Sequence, residues 1–197
     1  MKRIVIAGIL GGLTLFLWLY LAHDVLGLGE IGIKELPNET PVLNAMQGAI
    51  PAPGFYFFPG TGLGPNATAA ERRAAMPELM KKYEQVPHGI LIYHPPAGPF
   101  RFGAALGKQF ALNVVQALLF ALLLSWAGGL ASYAARVGFV FVAGLLAGLS
   151  TNVEYWNWYD FPGNYTAGYM ATQIIGFLLA GFVIAAFVKK QPAGANA

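Results

Sequence analysis

The side chains of this chain that could do chemistry are few, and most of them are neutral amides. Gln109, Asn113 and Gln116 fall at i, i+4 and i+7 of one apolar stretch, so a helix there would carry all three on one face. Asn152 and Glu154 end a second stretch, Gln173 lies just inside a third, and His23 with Asp24 ends the first. Hydrocarbon offers such groups no partner, so they either hydrogen-bond a neighbouring helix or face an interior cavity. His23, Gln109, Asn113, Gln116, Asn152, Glu154 and Gln173 therefore form the candidate ligand pocket, with Glu154 as its charged member.

Metal chemistry has weaker support. His88 and His94 flank the run Gly89 to Tyr93 at an even spacing that puts them on one face of a strand. With Glu154 or Asp160 they could supply an imidazole and carboxylate shell for a metal or haem. There is no His-Glu-x-x-His motif and no helical histidine pair, so neither metal ligands, cofactor nor catalytic residues are expected. The chain has no cysteine, which removes thiolate ligands, thiol nucleophiles and disulfides. Its net charge of +3 is dispersed, without the basic block that nucleic acid requires.

The elements that must position these groups are apolar and long. The chain is 56% hydrophobic and 11% charged, with 25 glycines, a composition that points to a lipid bilayer as its surroundings. Four uncharged stretches predict transmembrane helices over about 4–22, 109–127, 137–156 and 167–188. Lys2 and Arg3 precede the first, Arg136 separates the second from the third, and Lys189 and Lys190 follow the fourth. By the positive-inside rule these mark one cytoplasmic side, giving both termini inside and a tail over 189–197. The opening run is longer than a secretory signal core, and Tyr20 spoils a cleavage site after Ala22, so it is read as an uncleaved anchor.

Residues 23–108 form the one sizeable polar segment and read as an ordered extracytoplasmic α+β cap resting on the helix ends. Thr40-Pro41 predicts a short helix to about Gln47, and Thr68 with Glu71 is a capping box for a helix that Pro77 interrupts before Gln85. Phe55 to Phe58 and Gly89 to Tyr93 are predicted strands, with Phe100 to Phe102 a short third. Asn38, Asn66 and Asn164 begin glycosylation sequons that carry no meaning in a bacterial protein.

Two features suggest contact with other subunits or a second copy. Gly8 with Gly12 and Gly144 with Gly148 are spaced to let helix backbones approach closely. Trp156, Trp158 and Tyr159 belong to an aromatic turn suited to the headgroup level or to a docking partner.

The glycine-rich opening span, Leu28-Gly-Glu-Ile-Gly-Ile-Lys-Glu-Leu-Pro-Asn-Glu39, Pro53-Gly-Phe-Tyr-Phe-Phe-Pro59 and Tyr155-Trp-Asn-Trp-Tyr-Asp-Phe-Pro162 together resemble a family of small uncharacterised bacterial inner-membrane proteins. The resemblance covers nearly the whole chain and implies a four-span topology, but no activity. The expected protein is thus an integral membrane four-helix bundle of the bacterial inner membrane with an α+β cap, acting without catalysis as an accessory, assembly or stabilising subunit of a larger complex. A small-ligand or lipid binder or transporter with a polar pocket under the cap is the alternative, and a metal- or haem-dependent membrane enzyme the second.

Overall fold

The computed structural model describes residues 1–189. The expected cytoplasmic tail, Lys189 excepted, lies outside them, as does Lys190. The chain forms two compact units, Met1–Lys34 with the chain from Phe100 onward, and Glu35–Pro99.

The first unit is helical. Helix α1 spans Lys2–Tyr20 and runs on through a π-helical turn, Leu21–Val25. Numbering the second unit's two helices α2 and α3, the next in this unit is α4, Phe102–Trp126. Helix α5, Tyr133–Gly148, continues through a second π-helical turn, Leu149–Val153, into α6, Glu154–Tyr159; α7 is Gly163–Phe187. Four helical stretches, Lys2–Val25, Phe102–Trp126, Tyr133–Tyr159 and Gly163–Phe187, are long and apolar enough to cross a membrane. Helix α4 begins several residues before the uncharged stretch that predicted it. Lys108 is exposed there, and its apolar stem lets it stay helical while the ammonium reaches polar surroundings.

The helices do not pack in chain order. Helix α1 lies between α4 and α7, and α5 packs on the far side of α7. Small residues make these approaches possible. A Cβ on Gly12 would stand 2.5 Å from the Val114 Cα and 2.7 Å from its backbone nitrogen; one on Gly8 would overlap Leu118, and one on Gly144 would overlap Phe177. Gly176 receives the Trp18 indole in the same way, at 2.9 Å from Cδ1. Ala7, Ala117, Val140, Ala180 and Ile184 fill the core between these helices.

After the first π-helical turn, residues 26–34 fold back onto α7 rather than leaving the bundle. A turn of 3-10 helix, Leu28–Glu30, follows Gly27 at φ 64°. Ile31 packs on Gly168, and Gly32, at φ 78°, lies against Tyr165 so closely that no side chain fits. This segment and residues 100–108 group with the bundle, so the compact second unit is shorter than the 23–108 segment predicted.

The second unit contains α2, Glu39–Ala49, and α3, Ala69–Gln85, with two strands, β1 Gly54–Phe58 and β2 Gly89–Tyr93. The strands pair antiparallel, Phe55 opposite Ile92 and Phe57 opposite Ile90, so these four share one face. The predicted third strand is absent: Phe102 opens α4, and Arg101 is its N-cap residue. Helix α2 begins before Thr40, with Asn38 at the N-cap position in the left-handed region at φ 52° and making no side-chain cap bond. Both halves of the Thr68 and Glu71 capping box form, and α3 continues through Pro77 without a break. The proline removes one backbone bond, and the Arg73 carbonyl so released lies on an exposed turn where water can reach it.

Candidate ligand pocket

A cavity of about 140 Å³ lies among α1, α4 and α7, built wholly from the first unit. His23, Gln109, Asn113, Gln116 and Gln173, five of the seven residues singled out from sequence, line it. Leu15, Gly176 and Phe177 are buried around it, whereas Leu112 and Tyr169 are exposed, which places the mouth on their side.

Helix geometry explains the α4 wall. Gln109 and Asn113 stand one turn apart, and the Gln109 Nε2 donates to the Asn113 Oδ1 at 2.9 Å. Asn113 is 1% exposed, and its own Nδ2 has no hydrogen-bond partner among the described residues. An amide donor left unmade in an apolar interior costs about 1–3 kcal/mol.

On α7 the amide is held from behind. The Asn152 Nδ2 donates to the Gln173 Oε1 at 2.9 Å and to the Gly148 carbonyl at 2.9 Å. Asn152 is therefore not on the lining but behind it, fixing Gln173. The second π-helical turn carries Asn152, and the first carries His23. Extra residues of this kind shift side chains off the regular helical face, and such turns recur at functional sites. His23 is further confined by Gly29, where a Cβ would collide with its Nδ1.

Sequence reasoning missed the aromatic wall. Trp18 lines the cavity while its Nε1 donates to the Thr172 carbonyl at 2.8 Å, clipping α1 to α7. Thr172, itself 2% exposed, donates through Oγ1 to the Gly168 carbonyl at 3.0 Å. Tyr169 ends a ladder of rings: Tyr159 meets Tyr155 at 5.5 Å, Tyr155 meets Phe161 at 5.6 Å, Phe161 meets Tyr165 at 5.7 Å and Tyr165 meets Tyr169 at 5.9 Å. The signal for Trp18 and Tyr169 was present in their position toward the ends of two spans, where an aromatic reads first as an interfacial anchor.

The remaining sequence candidates lie elsewhere. Glu154 is exposed at the start of α6 and takes no part in the lining. Gly8 and Gly12 face α4, and Gly144 faces Phe177 of α7, so these surfaces are occupied within the chain. Gly148 sits beside Gln173, where a Cβ would approach Oε1 at 3.2 Å. Trp156 and Trp158 are exposed, Trp158 at 77%. Tyr159 is partly exposed, with its ring on Tyr155. Among the described residues there is no cluster of three or more His, Cys, Asp or Glu side chains that could hold a metal ion.

The lining thus combines neutral amides, one imidazole and three aromatic rings, with no carboxylate, lysine or arginine. Such a wall can hydrogen-bond and stack, but it offers no charged pair for acid–base work. A second cavity, a groove of about 410 Å³ between α5 and α7, is lined by apolar residues and Tyr133, whose hydroxyl donates across it to the Phe182 carbonyl at 2.8 Å. Comparison with protein-family models, with characterised proteins and with solved structures yields no match.

Proposed function

We propose that this protein binds a small uncharged amphipathic ligand in the pocket between α1, α4 and α7, without catalysis, as a multi-pass protein of the bacterial inner membrane with both termini in the cytoplasm. The observation that carries the reading is the polar wall of this cavity, Gln109, Asn113 and Gln116 on one face of α4 with His23 and Gln173, among which the buried Asn113 has an Nδ2 without a partner among the described residues. A structural amide is normally satisfied by its own bundle, whereas one kept for a ligand is not. Native mass spectrometry after gentle detergent extraction tests this. A non-protein mass should accompany the wild-type chain and be lost from a folded Asn113→Leu variant; a wild-type chain that carries nothing, or a variant that keeps its companion, rules the pocket out.

The accessory-subunit reading now rests on the aromatic turn alone. Trp156 and Trp158 offer an exposed surface at the end of the third span, whereas the glycine pairs are used inside the bundle. On this reading Trp156→Ala with Trp158→Ala releases the chain from a larger assembly in mild detergent. A wild-type chain that migrates alone under the same conditions removes it.

A further inference from the structure

We infer that the ligand presents a flat, uncharged ring bearing a carbonyl, the head of a quinone-type amphipath whose tail lies in the bilayer. This deepens the ligand-pocket reading and rests on it.

Size is the first argument. A cavity near 150 Å³ accepts a benzene ring, and the pocket here, at about 140 Å³, has room for one six-membered ring. Trp18, Tyr169 and Phe177 supply ring faces and edges against which a flat head can stack. A branched sugar or a glycerophosphate head is larger and not flat.

Charge is the second. An anionic head would be buried without a lysine or arginine on the lining to meet it. A quaternary ammonium could use the aromatic rings, but the wall has no carboxylate to meet its charge. A neutral carbonyl suits a wall of amides, Asn113 and Gln116 among them, and brings no charge of its own.

The third argument is the mouth. Leu112, 51% exposed on α4, and Tyr169, 38% exposed on α7, lie on the open side. An apolar tail leaving between them stays in contact with apolar surface, so only the head needs desolvation.

The test uses the full chain in phosphatidylcholine nanodiscs, with Trp126, Trp156 and Trp158 changed to Phe so that Trp18 alone fluoresces. The probe is a benzoquinone carrying a ten-carbon chain. Partition into lipid quenches in proportion to probe, whereas a site saturates. Saturable quenching of Trp18 is expected, weakened about tenfold or more by Asn113→Leu, the cost of one buried hydrogen bond left unmade. Tyr169→Ala, at an exposed rim position that folding tolerates, should weaken it several-fold, and excess dioleoylglycerol should not compete. If dioleoylglycerol displaces the probe at equal concentration, the site reads an ester carbonyl: the ring inference fails and the ligand pocket stands. If neither compound acts saturably while a native companion is still lost with Asn113→Leu, the ring inference again fails alone. Saturable binding unchanged in both variants overturns the placement, and no saturable binding with no native companion overturns both readings.

Discussion

Asn113 separates the demands of folding from those of binding. Its Oδ1 accepts from Gln109 at 2.9 Å while its Nδ2 is unpaired among the described residues. Replacing it with Leu removes a buried orphan worth about 1–3 kcal/mol and costs the half-buried Gln109 one bond worth about 0.5–1.5 kcal/mol. Without added ligand, Asn113→Leu should therefore be more stable than wild type, by about 1 kcal/mol in the middle of these ranges, and unfold at a higher temperature; a marked fall would mean that the amide is already satisfied. The glycines make a second contrast. Gly12→Ala puts a Cβ 2.5 Å from backbone at Val114, which cannot rotate away, so α1 and α4 must separate at a cost of about 1–3 kcal/mol. Gly138→Ala meets nothing within 4 Å and should be neutral or stabilising by about 0.5–1 kcal/mol, since alanine is the better helix residue. Thermal unfolding of the two in one detergent checks the pair, and equal stabilities would contradict the close α1–α4 approach. The i, i+4, i+7 amide row was legible in the sequence because periodicity alone sets a helix face. Trp18 and Tyr169 were not legible as pocket walls, because that depends on α1 lying between α4 and α7.

Among the elements, those fixed by local rules were the readable ones. The pairing of Thr68 with Glu71 is a four-residue pattern, and Phe55 to Phe58 with Gly89 to Tyr93 are apolar runs between Gly and Pro. Helix α3 and the hairpin follow from them directly. The two π-helical turns escaped, because an extra residue in a helical turn leaves no mark in an apolar pattern with period 3.6. They shift His23 and Asn152, which the sequence places at the ends of regular helices. Phe100 to Phe102 misled for a related reason: aromatic residues suit a strand or a helix start, and the apolar run that follows decides for the helix. The capping box also predicts a pH response. The Glu71 carboxylate receives the Thr68 backbone N–H at 2.7 Å and its hydroxyl at 2.8 Å, bonds that hold its pKa below the ordinary 4.5. A depressed carboxylate stabilises the fold fully above its unfolded value, and that contribution is lost as pH falls through the folded one. The Thr68 amide shift should titrate with a midpoint below 4.5, and Glu71 in Thr68→Ala should move back toward it. A midpoint at or above 4.5 in the wild type would mean that the box does not close in solution.

At the scale of the bundle, Lys2, Arg3, Arg136 and Lys189 gather at one end, while Arg101 and Lys108, at the start of α4, lie toward the other. Gly8 packs on Leu118 and Gly11 on Ile184, and Arg136 donates to the carbonyls of Leu130 and Ala185, so the start of α1, the α4–α5 connection and the end of α7 lie at one end. Lys2, Arg3, Arg136 and Lys189 are at that end. Arg136 is buried there, donating to the carbonyls of Ala185 at 3.2 Å, Leu130 at 3.4 Å and Ala131 at 2.9 Å. A guanidinium so placed satisfies carbonyls that a helix end and a loop leave open, and it complements the negative end of the α7 dipole. Its charge is thus fixed in position, where a surface lysine would be free to move. In the orientation proposed above this end is the cytoplasmic one. The pocket mouth, the aromatic turn and the second unit's chain connections at residues 34 and 100 then fall toward the outer face, which suits a ligand entering from the outer leaflet. Single cysteines can be placed freely in a chain that has none of its own. Cysteine at Ala74 in α3 or at Asn164 in the first turn of α7 should react with an impermeant maleimide in spheroplasts, and cysteine at Ala131 should react only after lysis. The reverse pattern would invert the orientation and put the pocket mouth in the inner leaflet. Labelling of all three before lysis would mean that the α4–α5 connection is not inside, and four complete crossings would no longer hold.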